Sequence, residues 1–256
     1  MKVHLARILL EAQTPFTISS GESDAESDIL LLKDANGLPY IPGTSLTGYM
    51  RSLLTSEEAN QLFGPESTSE DQEASRVFVS DAYLLDEEEK PMDGLRPQLS
   101  SFVKNLSMGT IRDRVRIDGE TGTALDKGKF QMSVALQGSR FLCELETDYR
   151  EADNFPIDIW EKFLNMFLTR EHRLGASKST GLGAFRVLEI QKKTYNLKEK
   201  SDFEQFLNRP ISLTEPLADA DKVTPDQTSI PSPFSLELKP KSTWIFGSTL
   251  NDPHAD

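Results

Sequence analysis

The order of elements along this 256-residue chain predicts an α+β domain of ferredoxin-like type. Three observations carry that expectation. Strand-like and helix-like stretches interleave, long parallel crossovers are few, and helical apolar spacing is confined to residues 44–55 and 156–172 among many β-type runs.

Residues 2–11 alternate and end apolar, which reads as a strand. Residues 16–28 are rich in Ser, Gly and acidic side chains and read as a loop. Pro42-Gly43 then breaks the chain. Thr44 and Ser45 are good N-cap residues, and Leu46, Met50, Leu53 and Leu54 share a face, so a helix is expected just after a tight turn. Thr55 to Ser75 is polar and reads as mobile. Arg76 to Leu85 reads as a strand through its β-formers Val77, Val79 and Tyr83. Ile111 to Thr123 alternates and then carries Gly119-Glu120-Thr121-Gly122, the pattern of a protruding hairpin. Strands are expected at 130–136 and 140–147, joined through Gln137-Gly138-Ser139. Residues 156–172 read as a helix with Ile159, Phe163, Met166 and Phe167 on one face and Pro156 near its start. The Gly-rich run Leu174–Gly183 leads into a strand at 184–190.

Residues 209–233, rich in Pro, Ser, Thr and Asp, read as a linker after a domain spanning 1–208. Residues 234–256 read as the start of a second copy. Trp244–Asp256 aligns without a gap on Phe16–Asp28, matching Phe16 with Trp244, Ser20 with Ser248, Asp24 with Asp252 and Asp28 with Asp256.

Composition narrows the class. The hydrophobic fraction of 37% supports a core, and no apolar run approaches the ~18 residues of a membrane span. The first residues lead straight into a strand-like run, so no signal peptide is visible. Cys143, the single cysteine, reads as a buried filler in a reducing, cytoplasmic compartment. One Cys and three scattered His exclude a zinc-finger arrangement.

The net charge of −13 argues against a nucleic-acid binder when taken as a sum. The distribution reverses the argument. Residues 66–89 form an acidic flank, whereas positive charge gathers at Lys104, Arg112, Arg114 and Arg116, and again at Arg170, Arg173, Lys178, Arg186, Lys192 and Lys193. A polarised molecule can bind nucleic acid on one face while its total stays negative.

The candidate anion-binding residues follow from the same patterns. The free N–H groups at the helix start, around Thr44 and Ser45, can hold a phosphate. Arg51, about two turns on, can reach an anion or form a surface ion pair. Arg112, Arg114 and Arg116 alternate, so they share one strand face, and such a row repels itself unless an anion lies there. Ser177, Lys178 and Ser179 sit in a Gly-rich loop suited to close backbone approach to phosphates. His172 reads as a residue at a helix end, interacting with the dipole.

These segments resemble the RAMP superfamily, the repeat-associated proteins of CRISPR effectors. Ile41-Pro42-Gly43-Thr44-Ser45-Leu46 through Arg51 is similar to the family's Ile-Pro-Gly helix start. Leu62-Phe63-Gly64 followed by Arg76 through Asp81-Ala82 resembles its next strand, Val115 to Ala124 the hairpin motif of type III backbone subunits, and Leu174 to Phe185 the Gly-rich loop. The chain departs at Thr47 and Gly119, where the family often has Lys and Arg.

The resemblance implies a modified RNA-recognition-motif fold with a protruding hairpin, the thumb. It implies a subunit that binds guide RNA and stacks with other CRISPR effector subunits in a filament-like complex. It also implies cleavage of complementary target RNA beside displaced nucleotides, supported by an Asp six residues ahead of a second Asp before the Ile-Pro-Gly turn. Asp28 and Asp34 meet that spacing, so the catalytic and Mg²⁺-holding roles carry over to Asp28. The alternative is a non-catalytic guide-RNA-binding scaffold subunit. A guide-processing ribonuclease would need a His, Tyr or Lys set that the His residues here do not form, and an acidic protein-interaction domain would carry no RNA.

Overall fold

The computed structural model describes residues 1–24, 27–65, 74–150 and 153–225. Its central sheet is antiparallel and built on β1 (Lys2–Ala12), which lies between β6 (Arg140–Tyr149) and β8 (Ala184–Asn196). Two short strands, β2 (Phe78–Val79) and β3 (Tyr83–Leu84), pair with the far side of β6. The outer edge of β8 pairs with β7 (His172–Arg173) and β9 (Asp221–Val223). A separate hairpin is formed by β4 (Thr110–Ile117) and β5 (Ala124–Val134). The α+β, RNA-recognition-motif-like class is as the sequence predicts.

Alternation along β1 gives the sheet two buried faces. Ala6, Ile8 and Leu10 enter the main core with Phe141, Cys143, Leu145 and Phe185. Three helices cover that face: α1 (Gly43–Arg51) through Leu46 and Met50, α2 (Ser56–Phe63) through Leu62 and Phe63, and α4 (Ile157–Thr169) through Trp160, Phe163 and Phe167. Phe16 fills the centre edge-on to Phe141 and Phe185, with ring centroids 5.5 and 4.9 Å apart. Val3 and Leu5 face the other way, against Tyr195, Leu217 and Phe206, the last from α5 (Lys200–Leu207). Arg7 is buried on that second face; its Nε meets Glu144 at 2.7 Å and its Nη1 donates to the Glu215 carbonyl.

Several expectations change here. The stretch from Thr55 contains α2, closed by a capping box in which Thr55 Oγ1 accepts from Glu58 N and the Glu58 carboxylate accepts from Thr55 N. Residues 66–73 of that polar stretch lie outside the described residues. The strand expected over 76–85 is two strands, because the chain leaves β6 after Ser80, whose N–H still donates to the Glu144 carbonyl (2.9 Å): Ile41 and Ala82 exchange both main-chain bonds (3.1 and 2.8 Å). Two helices, α3 (Ser101–Met108) and α5, were not expected. Residues 209–225 are packed on the sheet where composition suggests a linker. Leu213 and Leu217 are buried, Arg209 pairs with Glu146 at 2.8 Å, and β9 joins β8. Residues 226–233 and the repeat expected at 234–256 lie outside the described residues.

Helix α1 also starts differently. Pro42 is the N-cap and its ring offers no acceptor, so Thr44 and Ser45 fall within the first turn as its second and third residues, where both are exposed. Asp81 supplies the cap from the neighbouring segment, its Oδ1 accepting from Gly43 N at 2.7 Å. Gly43 is obligatory for close approach: a Cβ there would lie 2.4 Å from the Val79 carbonyl oxygen. Gly43→Ala is expected to cost roughly 1–3 kcal/mol of stability, because the obstacle is backbone that cannot rotate away; urea unfolding followed by circular dichroism measures it.

The far side of α1 is tied down by Tyr49. Its hydroxyl donates to Nδ1 of the fully buried His172 (2.9 Å), whose Nε2–H donates to the Phe167 carbonyl (2.6 Å) near the end of α4. His172 is therefore a neutral bridge between two helices. Burial holds it below the ordinary imidazole value of 6.5; the Phe167 carbonyl pulls upward and the Arg170 charge adds to the lowering. As pH falls through the window below 6.5, the unfolded chain takes up a proton that the native imidazole refuses, so the contribution to stability is full above 6.5 and lost on acidification. The buried His4 is likewise lowered, first by burial, and acts in the same direction. Unfolding free energy is expected to decline below pH 6.5, with a shallower slope in His172→Asn; denaturant titrations from pH 7.5 to 5 measure both.

Candidate functional site

Two regions gather the residues singled out by the sequence. The first is a cleft of about 280 Å³ between α1 and the Gly-rich loop, in which Ser45, Gly48 and Ser52 face Arg173, Gly175 and Lys178. The loop is held by its glycine. Gly175 has a φ of +84°, and a Cβ would fall 2.2 Å from the Thr17 carbonyl oxygen. Beyond it, the partly buried Ser177 adopts the left-handed region and Lys178–Thr180 form a short, exposed 3₁₀ turn. Left- and right-handed residues in succession make N–H groups converge, the geometry of an anion nest.

Ser45 and Lys178 therefore lie on one cleft. Thr44, Ser177 and Ser179 flank it on the same two elements. Arg51 does not line it. Its guanidinium runs to the end of α2, donating to the Gly64 carbonyl at 2.5 Å and to Asn60 Oδ1 at 3.1 Å. The first N–H of α1 is likewise taken, by Asp81, so a phosphate would meet the Thr44–Ser45 turn beside an existing carboxylate.

The second region is the β4–β5 hairpin. Arg112 and Arg114 lie opposite Met132 and Phe130, and the Arg116 guanidinium stands 6.0 Å from the Phe130 ring centroid. No carboxylate of the described residues pairs with any of the three. The reverse face carries Ile111, Val115 and Ile117, each about half exposed. Asp113 on that face accepts from Gln131 Nε2 at 2.8 Å, which holds its carboxyl below the usual range, with Lys129 (3.5 Å) adding to the lowering. At the tip Asp118 Oδ1 accepts from Glu120 N and Thr121 N (2.9 and 2.8 Å), which closes the turn.

Asp28 is exposed at the root of this hairpin, on the free edge of β5. Its Oδ2 accepts from Gln131 N at 2.8 Å, and its own N–H donates to the Gln131 carbonyl at 3.0 Å. Asp34 does something else: its Oδ1 accepts from Asn36 N and Leu38 N (2.8 and 2.9 Å), shaping the turn that leads to Pro42. Sequence reasoning missed Asp81 and Gln131, because neither lies near its partner in the chain. Two tyrosines close by, Tyr40 and Tyr83, have raised pKa values, first through burial and then through the Asp81 charge.

Comparison with known proteins sets these features in context. The RAMP superfamily family model matches residues 9–186. The CRISPR system Cms endoribonuclease Csm3 of Methanocaldococcus jannaschii is 29% identical over 213 residues, covering 71% of this chain and 79% of that protein. The fold is shared with a chain of the type III-B Cmr-beta complex bound to cognate target RNA, at a TM-score of 0.53 and 14% identity over 72% of this chain and 96% of that one. It is shared as well with the apo state of Cmr-beta, at a TM-score of 0.50, 15% identity and the same coverage.

Proposed function

Because this chain belongs to the RAMP superfamily, we propose that it is a backbone subunit of a type III CRISPR effector that binds guide RNA and cleaves complementary target RNA beside displaced nucleotides through Asp28. The observation that carries this reading is the position of Asp28, exposed at the root of a hairpin with a row of three arginines on one face that pair with no carboxylate of the described residues. Two sets of groups then divide the work. The cleft between α1 and the Gly-rich loop grips guide phosphates through N–H groups and Lys178, and the arginine row grips the strand that crosses the hairpin. The aliphatic reverse face, with Ile111, Val115 and Ile117, suits contact with a neighbouring effector subunit. Such a complex works in the cytoplasm; among the described residues no helix is long and apolar enough to cross a membrane.

Cleavage next to a splayed nucleotide needs the 2′-OH aligned with phosphorus and charge stabilised on the phosphate. Asp28 contributes a carboxylate that can orient the hydroxyl or hold a hydrated cation. The donor set fits Mg²⁺ shared with RNA phosphates rather than caged by protein: Asp28 is a single exposed carboxylate, and the described residues include no cluster of three or more His, Cys, Asp or Glu able to hold a metal. When bound, the ion would neutralise developing charge on the phosphate.

In the complex assembled on its guide, with Mg²⁺ and labelled complementary RNA, Asp28→Ala is expected to abolish one cut while target binding persists. Persistence of every cut would identify the chain as a scaffold instead. Lys178→Ala is expected to weaken guide binding at any sequence and to reduce the slope of log affinity against log salt by about one. Filter binding across a salt series measures it.

A further inference from the structure

The hydrogen bonds around Asp28 form a small, closed pattern. Gln131 N donates to Asp28 Oδ2 (2.8 Å), and the Gln131 carbonyl accepts from both Asp28 N and Ile29 N (3.0 and 3.2 Å). Ser133 N donates to the Ile29 carbonyl at 2.9 Å, and Ile29 bridges Met132 in parallel. Ser27 is 4% exposed, and its hydroxyl donates to the Ile29 carbonyl (2.9 Å), locking the turn from beneath. Residues 27–29 thus act as a third strand on the edge of β5 that β4 leaves free. The main chain of residue 131 is directed at Asp28, not at β4.

We propose that Gln131 is the positioning residue for Asp28, acting through its backbone amide. This rests on the reading of Asp28 as the cleavage carboxylate. The amide fixes Oδ2, which sets the plane of the carboxylate and leaves Oδ1 as the oxygen available to the 2′-OH or to a hydrated cation. Since the donor is backbone, no exchange of side chains at residue 131 removes it, proline excepted. The fixing strand is also the strand that carries the arginine row's partners Phe130 and Met132, so the carboxylate keeps register with the hairpin when the hairpin shifts against RNA.

The test uses the complete complex on its guide RNA. Gln131→Pro deletes the donor aimed at Asp28 without removing a β4–β5 ladder bond, since proline is tolerated where a strand's N–H faces outward. Ser133→Pro, one pleat further along, places the same ring in the same strand but leaves the carboxylate bond. The readouts are the single-turnover cleavage rate at saturating target and, separately, the target Kd. The expectation is that Gln131→Pro slows cleavage about tenfold or more with the Kd unchanged, because misplacement of a reacting group costs rate rather than binding. Ser133→Pro is expected to cut several times faster than Gln131→Pro. Should Gln131→Pro fail to assemble, an amide-to-ester exchange at residue 131, which replaces only N–H by O, is expected to give the same rate loss. A native rate in the proline or ester variant overturns the proposal, as does an equal loss in both proline variants. If Asp28→Ala itself retains every cut, the reading of Asp28 fails and this proposal with it; if Asp28→Ala abolishes its cut and Gln131→Pro is fully active, only the positioning role fails.

Discussion

The contact between the Asp81 carboxylate and the Gly43 amide is the joint on which the rest of the molecule hangs. A helix begins with N–H groups that no residue of the helix can satisfy, and the ring of Pro42 at the N-cap offers no acceptor. Asp81 meets that need across 38 positions of sequence and sets a full negative charge at the positive end of the helix, worth about 0.3–1 kcal/mol or more when partly buried. To reach it, the chain leaves β6 after Ser80 and Ala82 pairs with Ile41, which is why one expected strand is two. The seating of α1 follows from this anchor. Leu46 and Met50 go into the core, Tyr49 onto His172, and Ser45 and Gly48 onto the cleft that faces the Gly-rich loop.

How much of this was legible in the sequence depends on how far apart the partners lie. Local signals survived: the alternation of Arg112, Arg114 and Arg116, the turn residues after Ile117 and the glycines of the loop read from neighbours within a few positions, whereas the expected face of α4 caught Phe163 and Phe167 but missed the buried Trp160, Leu164 and Leu168. Helix α2 carried a legible signal that went unused, since Thr55 and Glu58 have the capping-box spacing. Residues 209–225 misled through composition. Pro, Ser and Thr exclude helix and long strand, but Leu213 is buried and Leu217 still finds apolar partners on the second face of the sheet. The Asp81 cap, the direction of Arg51 and the Gln131–Asp28 bonds were out of reach, because each joins segments whose proximity exists only after folding. The family resemblance supplied the role of Asp28, and the fold supplied what holds it.

An acidic chain built around basic surfaces has an electrostatic logic. The Arg and Glu side chains of the second sheet face largely cancel one another, as in Arg7–Glu144, Arg209–Glu146 and the pairing of Arg140 and Arg186 with Glu11. Among the described residues, no carboxylate pairs with Arg112, Arg114 or Arg116 of the hairpin.

The two-faced β4 strand has a consequence for how this chain can vary in length. Side chains alternate with a period of two, so inserting or deleting one residue before Arg112 would exchange the arginine face for the aliphatic face along the rest of the strand. The ladder already contains one irregularity, between Val115 and Ile117, which absorbs a residue near the tip. Between that irregularity and the root, changes of length conserve the two faces only in even steps, and odd steps invert the chemistry of the whole arm.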